Sequence, residues 1–303
     1  MADMRVNLAG VDLKNPVTVA SGTFGFGREY GQFFDINRLG GISVKGLTPH
    51  LRPGNPSPRI AETPLGMLNS VGLQNPGVDA FITRELPELR RHGLAVIANI
   101  SGNTPEEYGE MCEKLSAAGV DMIEVNISCP NVKAGGLAYG TQPELAAEVT
   151  AVAKAHARVP VMVKLSPNVT DIAEIARAVE SAGADAISLI NTLRGMVIDV
   201  KTHRPVLRMN TGGLSGPAVL PVAVRMVWEV HNAVQIPILG MGGISSGTDA
   251  AQMMLAGAAA VAVGAATFAD PLAPLRVLEE LEAICDRQGL DSVTELTGAV
   301  HPW

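Results

Sequence analysis

Eight short apolar runs, each followed by a stretch with helical signals, constrain the fold of this chain more than any other feature. They fall at residues 17–20, 42–45, 95–99, 122–126, 161–165, 186–190, 237–240 and 260–263. Runs that are apolar at successive positions, not at alternate ones, suit strands covered on both faces, as in a parallel sheet. Helix starts sit between them. Thr104-Pro105-Glu106-Glu107 combines an N-cap residue, a proline at the first helical position and a glutamate able to close a capping box. Thr141 with Glu144, and Asp171 with Glu174, repeat that spacing, and residues 217–231 and 274–288 supply further helices. No composition shift or low-complexity linker interrupts the alternation. The pattern predicts one α/β domain over residues 1–303, a (β/α)8 TIM barrel, with an open doubly wound sheet as the alternative. Residues 5–8 and 11–13, around Ala9-Gly10, predict a small β-hairpin ahead of the barrel.

Two connections exceed what joining strand to helix requires, and both follow the carboxyl end of a strand, where barrel enzymes place their active sites. Residues 47–77 contain six prolines, which stiffen a long loop. Residues 127–141 carry Gly135-Gly136 instead, which suits a loop able to move. Residues 253–269 bear no charge, but they are alanine-rich and divided by Gly257 and Gly264, so they read as a helix end, a turn and a buried strand, not a membrane span.

The residues at the strand ends carry the functional argument. In order they are Ser21, Lys45, Asn99, Asn126, Lys164, Asn191, then Gly242-Gly243 and Gly264. A lysine there can be merely solvated and an asparagine merely a turn former. Two lysines and three asparagines converging on one face are harder to explain in that way. Small residues after the last two strands let backbone N–H groups close around an oxyanion, and barrels frequently hold phosphate there. A phosphorylated ligand beside two inward lysines suggests FMN, because a fixed ammonium stabilises the negative charge of a reduced flavin. The chain has no GxGxxG pattern, which argues against direct nicotinamide binding by a Rossmann unit.

The net charge of −7, the absence of a basic run and an aromatic content of 4% argue against nucleic acid as a partner. The three cysteines, Cys112, Cys129 and Cys285, form no CxxC pair, so neither a disulfide framework nor a four-cysteine cluster is expected. No metal site is expected either. With no signal-peptide pattern at the N-terminus, a reducing cytoplasmic setting fits. Cys112 and Cys285 lie on helical stretches and read as small buried hydrophobes. Cys129 differs: it lies in Asn126-Ile127-Ser128-Cys129-Pro130-Asn131, just past the fourth run, between polar neighbours and before a proline that imposes extended geometry. A reactive role is the better reading.

The chain resembles the class 1 dihydroorotate dehydrogenases over nearly its whole length. The segments that carry the resemblance are residues 15–27, 43–48, 69–77 and 126–133 and the two glycine rims. Within class 1 it looks most like the NAD-linked 1B catalytic subunit, through residues 20–30. The resemblance implies oxidation of dihydroorotate to orotate in pyrimidine synthesis, with Cys129 and Lys45 as catalytic residues and Cys129 as the base for the C5 proton. It implies FMN contacts at Ser21, Lys45, Gly46, Asn99, Asn126, Lys164, Ile190, Gly216, Gly242, Gly243, Gly264 and Ala265. It implies substrate contacts at Lys45, Asn69, Ser70, Val71, Gly72, Leu73, Asn126, Asn191 and Thr192. It also implies a homodimer core and a partner subunit, carrying FAD and a 2Fe-2S cluster, that passes electrons to NAD. Two other readings stay open: an FMN barrel acting on another dihydropyrimidine or a tRNA uridine, and a catalytically silent barrel that binds a phosphorylated ligand.

Overall fold

The computed structural model describes residues 1–128 and 139–303. Each of the eight apolar runs forms a strand: β1 Val17–Val19, β2 Gly41–Ser43, β3 Ala95–Ile100, β4 Met122–Asn126, β5 Val161–Lys164, β6 Ala186–Leu189, β7 Ile238–Met241 and β8 Ala260–Val263. They make one eight-stranded sheet in the order β1-β8-β7-β6-β5-β4-β3-β2, with every pairing parallel. Gly40 N–H donates to Val17 O at 2.9 Å and joins the two ends of that order, so the sheet curls into a barrel. Nearly every strand residue is buried, including Val17, Ile97, Ile123, Val163, Ile187, Leu239 and Val261. Continuous apolar runs are what such double-sided burial requires, at about 1.5–3 kcal/mol per large aliphatic side chain.

Register sets what points inward together. Asn99 pairs with Glu124, Asn126 with Lys164, and Ser188 with Lys164. Paired residues share a face of the sheet, so these side chains project to the same side.

The helix signals hold with two corrections. Thr104 caps helix Pro105–Ala118 by accepting from Glu107 N, and the helix stops at left-handed Gly119. The Glu107 carboxylate, however, accepts from Asn103 N at 2.7 Å and does not return to Thr104 as a capping box would. The expected start at Thr141 is also displaced: the helix spans Pro143–His156 with Gln142 at the N-cap position and no side-chain cap. Asp171 caps helix Ile172–Ser181 through Ala173 N and Glu174 N, as its spacing implies. Residues 217–231 divide into a 3-10 turn, Pro217–Val219, and helix Leu220–His231, and the last helix spans Ala273–Gln288. Residues 253–269 give the end of helix Gly247–Leu255, a turn at Gly257 and the buried β8, then the short helix Ala266–Ala269. No helix among the described residues is long and apolar enough to cross a membrane.

The N-terminal hairpin pairs Val6–Leu8 with Val11–Leu13, turning through positive φ at Ala9 and Gly10. The connection over residues 47–77, expected as a loop, contains two strands, Ile60–Thr63 and Gly66–Asn69. These join Gly212–Ser215 and Leu193–Gly195 in a four-stranded antiparallel sheet that the sequence did not announce. Its two halves come from the connections after β2 and β6. Gly212 makes their close approach possible, since a Cβ there would lie 2.6 Å from the backbone oxygen of Asn69.

Candidate functional site

A pocket opens at the carboxyl ends of the barrel strands, with the antiparallel sheet forming part of its wall through Ile60, Met67, Asn69, Leu214 and Ser215. Every residue expected to contact a cofactor lines it: Ser21, Lys45, Gly46, Asn99, Asn126, Lys164, Ile190, Gly216, Gly242, Gly243, Gly264 and Ala265. Of the residues expected at a substrate, Lys45, Asn69, Val71, Gly72, Leu73, Asn126, Asn191 and Thr192 line it as well. Ser70 does not. It follows the end of strand Gly66–Asn69, fully buried, and its hydroxyl has no hydrogen-bond partner among the described residues. Cys129 lies outside the described residues, as do 130–133 of the resemblance segment.

The asparagines are held in defined orientations. Asn126 Oδ1 accepts from both the backbone N–H (3.1 Å) and the hydroxyl (2.7 Å) of Ser128. That leaves Asn126 Nδ2 as the donor offered to the pocket. Asn191 Nδ2 donates to Ser128 O and Ser128 Oγ, while Asn191 Oδ1 accepts from Thr192 N. Tyr108, fully buried on helix Pro105–Ala118, donates its hydroxyl to Asn126 O at 3.0 Å and stands edge-on to Tyr139. Asn99 Nδ2 donates to Glu124 Oε2 at 2.5 Å, and Ser188 Oγ donates to Glu124 Oε1 at 2.7 Å. Asn99 Oδ1 is buried and has no partner among the described residues.

Lys164 ends β5 at 5% exposure and enters none of the ion pairs among the described residues. A buried ammonium without a carboxylate suits a site that receives negative charge from a ligand. Lys45 follows β2, its backbone N–H bonded to Gly25 O.

The rim after β7 is built by close packing. Gly242 and Gly243 both have positive φ, and a Cβ on Gly243 would come within 2.7 Å of the backbone nitrogen of Leu220, where helix Leu220–His231 begins. Side chains are thereby excluded at both positions, the condition under which backbone N–H groups can close around an oxyanion. Tyr30 braces the β1 and β8 loops, bonding to Thr23 O and Thr267 Oγ1 and stacking on Phe24 at 4.0 Å.

Sequence reasoning missed Ile60, Met67, Leu214 and Ser215 because they reach the pocket through the unforeseen sheet, and Phe268 because it sits beyond the last strand. Glu124, inside β4, was also missed; a charged residue in the middle of an apolar run was the available signal.

Comparison with known proteins agrees with this geometry. The family model described as dihydroorotate dehydrogenase matches residues 3–285. A protein of Alkaliphilus oremlandii named "Dihydroorotate dehydrogenase B (NAD(+)), catalytic subunit" is 56% identical, covering 98% of this chain and 98% of its own. The protein of the same name from Desulforamulus reducens is 55% identical over 99% of each chain. Among solved structures, the ligand-free DHODH of Eimeria tenella superposes with a TM-score of 0.84 at 23% identity, covering 99% of this chain and 92% of that one, a likeness of fold.

Proposed function

The chain belongs to the dihydroorotate dehydrogenase family, and from that premise we propose that it is the catalytic subunit of an NAD-linked enzyme that oxidises dihydroorotate to orotate in pyrimidine biosynthesis. The observation that carries the reading is the convergence of Lys45, Lys164, Asn99, Asn126 and Asn191 on one pocket beside the glycine rims.

The residues present fit FMN. Asn99 Oδ1, without a partner among the described residues, suits a ring N–H; Lys164, in none of their ion pairs, suits an electron-rich ring edge; and the small-residue rim at Gly242, Gly243, Gly264 and Ala265 suits a phosphate. When bound, FMN supplies the acceptor for the hydride that leaves C6 of the substrate. All else falls to the chain. Asn69, Asn126 and Asn191 match the alternating N–H and C=O edge of the pyrimidine, since amides both donate and accept. Val71, Gly72, Leu73 and Thr192 complete that wall, and Lys45 stands between the cofactor and substrate sides. Cys129 takes the C5 proton, and a thiolate is suited to this because its ordinary pKa of about 8.5 is within reach of neutral pH.

The wider assembly follows the same premise. The unit over residues 1–303 pairs as a dimer and joins a partner subunit carrying FAD and a 2Fe-2S cluster, in the cytoplasm. The relatives' name "catalytic subunit" supports a partner, and the absence of a dinucleotide fingerprint from this sequence requires one if NAD is the acceptor. An absorbance spectrum of the purified chain, recorded before and after anaerobic dihydroorotate, tests the reading. Flavin bands that bleach on addition are expected. A colourless protein that gains no flavin spectrum with added FMN would overturn it.

A further inference from the structure

Glu124 stands inside the barrel wall on β4, fully buried, and takes part in none of the ion pairs among the described residues. Burying a carboxylate without a cation is strongly unfavourable, and an apolar residue of similar volume often leaves a protein at least as stable. Stability therefore does not account for it. Its two oxygens each hold one donor: Oε1 accepts from the Ser188 hydroxyl and Oε2 from Asn99 Nδ2. Because carboxylate oxygens only accept, the pairing fixes which way the Asn99 amide faces. Nδ2 is drawn to Glu124, and Oδ1 is left buried with no donor among the described residues. That oxygen lies beside Gly46, 2.8 Å from where a Cβ on Gly46 would sit, and both residues line the pocket. The flexible end of the Leu73 side chain shares the same side of Gly46. A buried acceptor left without a partner is destabilising, a penalty that an incoming N–H donor removes.

We propose that Glu124 is a positioning residue that holds Asn99 with its oxygen facing the pocket, as the acceptor for an imide-type ring N–H of the bound ligand. The inference rests on the flavin reading above and deepens it. Both FMN and dihydroorotate carry such an N–H, and the test separates the two sources. Glu124→Gln keeps the side chain's shape but can turn its own N–H toward Asn99, so it no longer dictates the amide's orientation.

The apoprotein is titrated with FMN and with FMN methylated on its imide nitrogen, and the holoprotein with orotate. Thermal unfolding of each apoprotein is followed alongside. The variant should unfold at or above the wild-type temperature, yet bind FMN roughly three- to tenfold more weakly while its affinity for the methylated analogue stays unchanged. If FMN affinity holds and orotate weakens by that factor, the N–H belongs to the substrate, and the positioning role stands. Equal weakening of FMN and its methylated analogue, or no weakening of any ligand, overturns the proposal. The wild type provides a check that needs no variant: equal affinity for FMN and its methylated form, together with equal affinity for orotate and ring-N-methylated orotates, also overturns it. Failure of the wild type to bind FMN at all would instead overturn the flavin reading, and this inference with it.

Discussion

Asn191 Nδ2 lies 2.8 Å from Ser128 Oγ, and that bond ties the end of β6 to the residue immediately before Cys129. The same hydroxyl donates to Asn126 Oδ1 at 2.7 Å, so one small side chain orients two pocket amides from different strands. Ser128→Ala removes both hydroxyl contacts but keeps the backbone ones. At about 1 kcal/mol per bond, it should raise the KM for dihydroorotate roughly three- to tenfold, with FMN content unchanged. Steady-state kinetics on the flavin-replete variant checks this. An unaltered KM would reduce Ser128 to a spacer.

Cys129→Ala should slow flavin reduction by about 10²–10⁴-fold while FMN and orotate binding persist, the signature of a group used in the transition state. The wild-type rate should rise with pH as the thiol ionises, and that ionisation should be missing from the alanine variant's profile. Cys129→Ser should also be slow, since an alkoxide is far less accessible than a thiolate near neutral pH. Stopped-flow reduction across pH reads all three, and a near-wild-type alanine variant would move the search to another base.

Lys164→Ala should weaken FMN binding about ten- to a hundredfold, the range of a hydrogen bond to a charged group. Fluorescence titration of the apoprotein gives the affinity directly. Occupancy and reduction kinetics equal to wild type would remove Lys164 from the flavin's surroundings.

The isolated chain should reduce its own flavin with dihydroorotate but produce no NADH from NAD, because its sequence contains no dinucleotide loop. Absorbance at the NADH band under anaerobic turnover is the measurement. Rapid NADH formation would contradict the need for a partner subunit.

Burial pushes the Cys112 thiol up to about 12, and burial likewise raises Cys285. Neither should react with an alkylating agent in the native protein at pH 8, whereas both should react after unfolding. A thiol whose folded value is raised stabilises the fold below its unfolded value and loses that contribution as pH climbs from the unfolded toward the folded value. Cys112 thus adds to alkaline destabilisation above about pH 8.5. Mass spectrometry after timed alkylation tests the burial, and labelling of native Cys112 would refute it.

The barrel was legible because each strand is covered on both faces and must be apolar throughout, a pattern a sequence displays locally. The strand ends were legible for a related reason: lysine and asparagine stand out where such runs stop. The antiparallel sheet was not. Gly212–Ser215 has little strand propensity, and its glycines are explained only by partners distant in sequence, Asn69 and Thr192. Prolines around Ile60–Thr63 masked a strand that lies at the edge of that sheet, where proline is tolerated. Thr141 failed as a cap because proline at 143 starts the helix two residues later. Glu124 shows the opposite limit: its charge was visible in the run, but the two donors that give it meaning come from other strands.

The antiparallel sheet also dictates an order of assembly. Gly213 pairs with Asn69, so the two halves of the pocket's cover are separated by nearly half of the chain. Closing so long a loop is entropically costly and pairs slowly. A nascent chain that has not yet emitted residue 212 has a hairpin, Ile60–Asn69, with a bare edge and no finished cavity. Competence to retain ligand therefore arises late in synthesis, after six of the eight barrel strands exist. Truncated or stalled chains would remain ligand-free, and ligand retention would report that the cover has closed.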